Sequence, residues 1–464
     1  MKKKGKLKMQ SREQWGSKLG FILAASGSAV GLGNIWKYPH MAGENGGGAF
    51  TIVYLLCILI VGLPIVIAEF VLGRKTQLSP VGAFEKIAPK SNWKWVGMLG
   101  VASAFVILSF YGVVGGWTLR YAFLSMSGAF TQFLGNPELS GTHFTSFISN
   151  PINPIFWQII FMGFTVGVIV QGVKGGIEKW TKIMMPAILI ILIMLMFRGL
   201  TLPDGMKAID FLFKPNFQDL TASSIVLALG HSFFTLSLGM GTMITYGSYL
   251  GRDQNLLSSA LWIIFLDTLI AMMAGVAIFA TVFAMGADPG AGPGLIFVVL
   301  PTIFPKIAGG AIWGTLFFFL LFMAALTSAI SILEVITAYF IDEKGWTRKK
   351  ATIIFGSVVT IVGAFCSLSM GSFNITSFLD MSFFDVMDYL SSKYMLPIGG
   401  MLTAVFVLYR WGIPNFIAEI VVGMDKQNVN AVFVRILFVV SATVVGFILL
   451  NEIIASITGS PIIG

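Results

Sequence analysis

The sequence predicts an all-α integral membrane protein of eleven transmembrane helices, arranged as two five-helix units of opposite orientation followed by one appended helix. Three observations carry that prediction. The 464 residues are 56% hydrophobic and 11% charged, with mean hydropathy +0.86, a composition that no water-soluble domain of this size tolerates on its surface. Apolar segments of spanning length, each of roughly 18 to 30 residues, recur along the whole chain. Two of them, five spans apart, are interrupted in mid-span by glycines and small polar residues.

The first span begins near Leu19 and runs apolar to Ser26. It then reads Gly27-Ser28-Ala29-Val30-Gly31-Leu32-Gly33-Asn34, where lipid demands a sealed hydrogen-bond ladder. The stretch before the break covers only ~12 Å at ~1.5 Å per residue, so the break falls near the middle of a ~30 Å hydrocarbon layer. Irregular backbone at that depth survives where it is buried in protein or lines a polar cavity, which points to a binding site for a small polar solute near the midplane. The span is too long and too polar at its centre for a cleaved signal peptide, despite the lysines before it. Further spans begin near Phe50, Trp95, Ile155 and Thr181.

The sixth, from Ser223, repeats the device: apolar Ile225 to Phe234, then Thr235-Leu236-Ser237-Leu238-Gly239-Met240-Gly241. Five crossings separate the two breaks, so the second enters from the opposite face, the pattern of an inverted-repeat secondary transporter. Spans from Leu257, Ala308, Ala351 and Phe383 complete the second unit, and an eleventh begins near Val432. The expected organisation is a tail over 1–18, a first repeat over 19–200, a second over 201–411, and the last helix with the C-terminus over 412–464. Loops 127–154 and 286–305, rich in Gly and Pro, have room for short cap helices outside. The 172–176 and 424–428 loops belong inside.

Net charge of +9 raises the question of nucleic acid, but its placement answers it. The N-terminal tail and alternate loops hold 23 of the 30 Lys and Arg, which puts the N-terminus in the cytoplasm and the C-terminus outside a cell membrane. Lys2, Lys3, Lys4, Lys6 and Lys8 read as a topogenic, lipid-facing tail, and no nucleic-acid partner is expected. Cys57 and Cys366 occupy separate apolar spans and give no disulfide framework. His40, His143 and His231 lack ligand spacing. No HExxH, GxSxG or P-loop pattern occurs, so neither enzyme chemistry nor ATP drive is indicated.

The runs GSAVGLGNIWKYP (Gly27 to Pro39), AGENGGGAF (Ala42 to Phe50), FFTLSLGMGTMITYGSY (Phe233 to Tyr249) and FFFLLFMAALTSAISILE (Phe317 to Glu334) closely resemble the neurotransmitter:sodium symporters. The likeness extends from Trp15 through the tenth span. It implies a leucine-transporter-like 5+5 inverted repeat with discontinuous helices 1 and 6. The family's twelfth helix is absent, as in a bacterial eleven-helix subgroup that includes tyrosine and multi-hydrophobic amino-acid transporters. The broken helices fit independently: N–H groups at Leu32 and Gly33 carry a positive dipole end suited to a carboxylate, and carbonyls at Ala29, Phe234 and Thr235 suit an ammonium or a hard cation. Family members that carry amines lacking a carboxylate place Asp where this chain has Gly31, so an amino acid is favoured.

The resemblance implies two sodium sites. One takes the Ala29 carbonyl, Asn34, Thr235, Asp267 and the substrate carboxylate. The other takes carbonyls of Gly27, Val30 and Ala324 with hydroxyls of Thr327 and Ser328. Both shells are oxygen-only, as a hard monovalent ion requires. A lone Asn or Thr in a span reads as a helix-packing group; convergence of such groups on two breaks is what favours ion binding. Asp267 stands where better-known members have Asn, and an ionised carboxylate in the membrane calls for a cation beside it, so transport is expected to be chloride-independent. The alternatives for Asp267 are a protonated structural role and proton release by the empty carrier.

Substrate contacts are expected from Ser28, Ala29, Leu32, Gly33, Ile107, Tyr111, Phe234, Thr235, Ser237, Met240, Ser328 and Ile332. Tyr111 would bind the carboxylate and close the lid with Phe234. Met240 replaces a Phe of the leucine-preferring relative, and its flexible thioether predicts large apolar or aromatic amino acids. Glu69 matches a carboxylate that accepts from the unwound backbone of helix 6. Glu334 is left between packing, a water-lined position and a proton site. Lys37 and Asp388 match the extracellular gate, where Lys in place of the usual Arg loses a bidentate contact and suggests a weaker or water-mediated pair. Arg12, Trp15 and Asp342 match the cytoplasmic latch. Together these imply sodium-coupled uptake of a hydrophobic or aromatic L-amino acid by alternating access. A GABA-like or betaine substrate and proton coupling stay open, whereas a channel would want a pore-lining ring that is absent.

Overall fold

The computed structural model describes residues 12–290, 294–371, 381–424 and 429–458. The lysines of the N-terminal tail, most of the 424–428 loop and the last six residues lie outside that set. Among the described residues the chain is helical, and nine helices are long and apolar enough to cross a membrane unbroken. They are α2 (Gly48–Thr76), α3 (Lys94–Met126), α4 (Asn153–Val170), α5 (Val173–Leu200), α7 (Leu256–Ala284), α8 (Gly310–Lys344), α9 (Arg348–Leu368), α10 (Phe383–Trp411) and α11 (Ala431–Thr458). Two more spans are broken. The first, α1, consists of Lys18–Ala29 and Gly33–Glu44, bent by 49°. The other, α6, consists of Ala222–Thr235 and Thr242–Gly247.

Three details differ from expectation. The first half of α1 stays helical through Ala29, so Gly27 and Ser28 lie within it and only Val30 and Gly31 interrupt the span. Neighbouring helices satisfy that turn, and small residues alone do not unwind it. The 172–176 loop is nearly absent, because α5 starts at Val173 in a wide first turn. Helices α3 and α8 reach 33 and 35 residues, about 50 Å at ~1.5 Å per residue, so they exceed a perpendicular crossing and must tilt or project.

The 127–154 segment carries the short helices Ala129–Phe133 and Pro137–Ile148, and the 286–305 segment carries helix from Leu295 to Lys306. Helices Pro80–Ile87, Lys207–Phe213 and Ile413–Ile420 were not expected from the hydropathy pattern. Helix α8 is almost wholly buried and packs along α3. By contrast α9 and α11 expose Ile354, Ile361, Val432, Phe433 and Ile436, side chains that lipid covers at no cost. The broken helices are thereby enclosed, so their free backbone groups face protein.

Candidate functional site

The two breaks face each other. Val30 adopts an extended conformation while its N–H still reaches the Ser26 carbonyl, and Asn34 Oδ1 accepts from Gly31 N–H at 3.0 Å, tying the break to the helix that follows it. In α6, Ser237 (φ +53°), Gly239 (φ +75°) and Gly241 (φ +76°) are left-handed. Glycine pays no steric cost there. Ser237 does, and its hydroxyl anchors it by donating to the Ser28 carbonyl at 2.9 Å. Glu69 reaches in from α2, accepting from Gly239 N–H at 2.8 Å and facing the N–H groups of Met243 and Ile244 at the start of the second half of α6.

Between the breaks lies a narrow cavity of about 20 Å³. Ile107, Met240, Ile332 and Phe234 form its apolar wall, and Ser28, Ala29, Gly33, Thr235, Ser237, Ser328 and Tyr111 form the rest. Of the expected substrate contacts only Leu32 is not in the wall; its N–H donates to the Tyr111 hydroxyl at 3.3 Å. Gly31 also lines the cavity, and a Cβ there would collide with the hydroxyls of Ser328 and Tyr111. A side chain at that position would have to displace them.

Two oxygen clusters flank the cavity. In one, Thr327 donates to the carbonyls of Ala324 at 2.9 Å and Val30 at 3.4 Å, and Ser328 reaches the carbonyls of Gly27 at 3.5 Å, Ser28 at 3.1 Å and Val30 at 3.4 Å. All are buried and neutral. In the other, the fully buried Asp267 receives Asn34 Nδ2 at 2.7 Å and the Thr235 hydroxyl at 3.1 Å on Oδ1, whereas Oδ2 is buried without a hydrogen-bond partner. Such a carboxylate oxygen calls for a cation. Ala29 and Thr235 share the cavity wall on this side. Ser331, unremarked in the sequence, ties the set together by receiving the Ser28 hydroxyl at 2.7 Å.

Phe234 separates the cavity from a recess of about 490 Å³ that opens on the face away from the N-terminus. Lys37 Nζ lies 4.1 Å over the Phe234 ring and pairs with Asp388 at 3.0 Å. Of the two alternatives expected, a weaker or a water-mediated pair, the second does not hold, since the contact is direct, and the ring face gives the ammonium a further partner. On the N-terminal face, Arg12 binds both oxygens of Asp342 at 2.5 and 2.6 Å and lies over Tyr249. Trp15 donates from its indole to the Tyr246 carbonyl at 3.0 Å.

Sequence reasoning missed a second chain beside this latch. Glu334 receives the Tyr249 hydroxyl at 2.5 Å and Arg348 at 2.7 Å; Arg348 also binds Glu13, which receives Val173 N–H at 2.7 Å. Glu334 is thus paired and not a lone acid. The only hint was Glu13 next to Arg12.

A family model described as the sodium:neurotransmitter symporter family matches residues 12–134 and 143–460. An uncharacterized sodium-dependent transporter of Bacillus subtilis is 40% identical over 410 residues, spanning 88% of this chain and 90% of that protein. Another, from Haemophilus influenzae, is 34% identical over 86% of this chain and 89% of its own length. Among solved structures, that of MhsT in complex with L-phenylalanine superposes with TM-score 0.85 at 45% identity, covering 95% of this chain and 98% of MhsT.

Proposed function

The chain belongs to the sodium:neurotransmitter symporter family, and from that membership we propose that it carries a hydrophobic or aromatic L-amino acid inward across the plasma membrane, coupled to sodium at two sites and independent of chloride. As a family member it is a transporter and not an enzyme. The observation that carries the reading is the cavity between the breaks, lined by Gly33 and Tyr111, with an apolar wall including Met240 and two buried oxygen clusters alongside. The helix start favours the substrate carboxylate. The Ala29 and Thr235 carbonyls favour its ammonium, whereas the Phe234 carbonyl, expected to be free, accepts from the Leu236 and Ser237 N–H groups; the apolar wall selects by size. L-Phenylalanine bound to MhsT supports an aromatic substrate.

One sodium is proposed at Ala29, Asn34, Thr235 and Asp267, the other at Gly27, Val30, Ala324, Thr327 and Ser328. Asp267 supplies the negative charge beside the first, which removes the need for an anion. With the N-terminus cytoplasmic and the C-terminus extracellular, Phe234, Lys37 and Asp388 close the outer entrance while Arg12, Trp15 and Asp342 close the inner one. Sodium and substrate draw the two broken helices together, and loss of sodium to the cytoplasm frees the first half of α1 to part from its neighbours. Each charge moved inward yields about 2.3 kcal/mol per 100 mV.

The test is uptake of labelled L-phenylalanine into proteoliposomes, with unlabelled amino acids as competitors. Concentrative uptake should follow an inward sodium gradient, persist when gluconate replaces chloride, and be blocked by leucine, tyrosine and tryptophan but not by aspartate or lysine. Uptake indifferent to sodium, or one that collapses in gluconate, would overturn the proposal.

A further inference from the structure

We propose that Glu178, at the start of α5, is a reversible clasp on the first half of α1, and that Lys182 sets how readily it lets go. The inference rests on the alternating-access reading above and names a residue that positions the moving element.

Glu178 has a side chain only 3% exposed. Its Oε2 accepts the Gly16 N–H at 2.6 Å, and its Oε1 accepts both the Ser17 hydroxyl at 2.9 Å and the Lys182 ammonium at 2.5 Å. Ser17 caps α1, since its Oγ accepts from Gly20 N–H at 3.0 Å while its hydroxyl proton goes to Glu178. A carboxylate from another helix therefore sits at the positive end of α1. The glycines on either side make the seat. A Cβ on Gly16 would lie 3.1 and 3.2 Å from the two carboxylate oxygens, and one on Gly20 would overlap the carboxylate itself. The run Gly16-Ser17-Lys18-Leu19-Gly20 is shaped around one acidic side chain 158 or more positions away.

Lys182 makes the clasp releasable. It stands one turn further along α5 and shares Oε1 with Ser17. When the first half of α1 withdraws, Gly16 and Ser17 leave with it, but Lys182 travels with Glu178 and keeps the carboxylate paired. Lys174, whose Cε faces Gly16, is the other cation nearby. The two substitutions should therefore act in opposite directions. Glu178→Gln retains one acceptor for two α1 donors and loses the charge, so it favours release. Lys182→Gln leaves the clasp intact when closed and the carboxylate bare when open, so it opposes release.

Spin labels at Leu19→Cys on α1 and Ile183→Cys on α5, both exposed positions, report the separation in the full chain with Cys57 and Cys366 replaced by alanine. The parent should move from a short distance in sodium with L-phenylalanine to a longer one in potassium. Glu178→Gln should raise the long-distance population in sodium roughly tenfold, the worth of one hydrogen bond to a charged group, and Gly20→Ala should act in the same direction by filling the seat. Lys182→Gln should deplete that population in potassium. A parent that ignores sodium overturns the alternating-access reading and the inference with it. A parent that responds while the Glu178 and Lys182 variants match it, or move in the same direction, overturns the inference alone.

Discussion

Asp267 is fully buried, and its two oxygens are treated unequally: Oδ1 receives Asn34 and Thr235, and Oδ2 receives nothing. A buried carboxylate left in that condition costs several kcal/mol unless a cation joins it. Replacing it by Asn keeps shape and removes charge. Asp267→Asn should therefore raise the sodium concentration for half-maximal uptake by at least about tenfold, about 1.4 kcal/mol, in a sodium titration at fixed L-phenylalanine. Met240 makes a different point, because it contributes only shape to the cavity. A rigid ring at that position takes space that a thioether can vacate. Met240→Phe should lower uptake of tryptophan relative to leucine several-fold in direct competition, with sodium dependence unchanged.

At the scale of an element, α6 shows how a membrane helix can be unwound and still be ordered. Leu236 to Gly241 leave the helical ladder, yet Glu69, Ser237 and the neighbouring α10 fix the path. Gly239 has φ +75°, and a Cβ there would strike the Leu396 carbonyl. Strain and clash together should make Gly239→Ala destabilising by about 3 kcal/mol. Its thermal unfolding midpoint in detergent should drop by several degrees and uptake should be lost. Gly230 is the control, since it lies within regular helix with open space at its Cβ position. Gly230→Ala should hold or raise the midpoint. The same reasoning explains the discrepancy in α1, where Gly27 and Ser28 remain helical: glycine permits a break, and partners decide where it falls.

For the molecule as a whole, the question is which polar contacts close each face. The Lys37–Asp388 pair is partly exposed, and such a pair is worth about 1 kcal/mol or less. That suits a gate that must open. Arg12 is more committed, holding Asp342, Ser248 and the face of Tyr249, with Asp342 also receiving Ser79 N–H. Arg12→Ala should loosen the face on the N-terminal side, which accessibility of an introduced thiol there would register, and should weaken binding of L-phenylalanine from the opposite side. Lys37→Gln should act oppositely: sodium-dependent binding persists while net uptake falls, measured by equilibrium binding beside flux. Loss of binding in Lys37→Gln would place the lysine in the substrate site itself.

The membrane class and the approximate position of both breaks were legible in the sequence. Each is a local property: hydropathy counts residues over one crossing, and glycines or hydroxyls in mid-span declare backbone that must find partners. The contents of the cavity wall followed from motifs rather than from physical pattern, because an isoleucine facing a cavity and one facing lipid are the same residue. What only the tertiary structure decided is who meets whom across the chain. The structure alone narrows the first break to Val30 and Gly31, and the Phe234 ring beneath Lys37, the Glu13–Arg348 pair that extends to Glu334 and the seating of Glu178 on Gly16 and Ser17 join residues far apart in sequence. Such pairings depend on the packing angles of whole helices, which no window of neighbouring residues encodes.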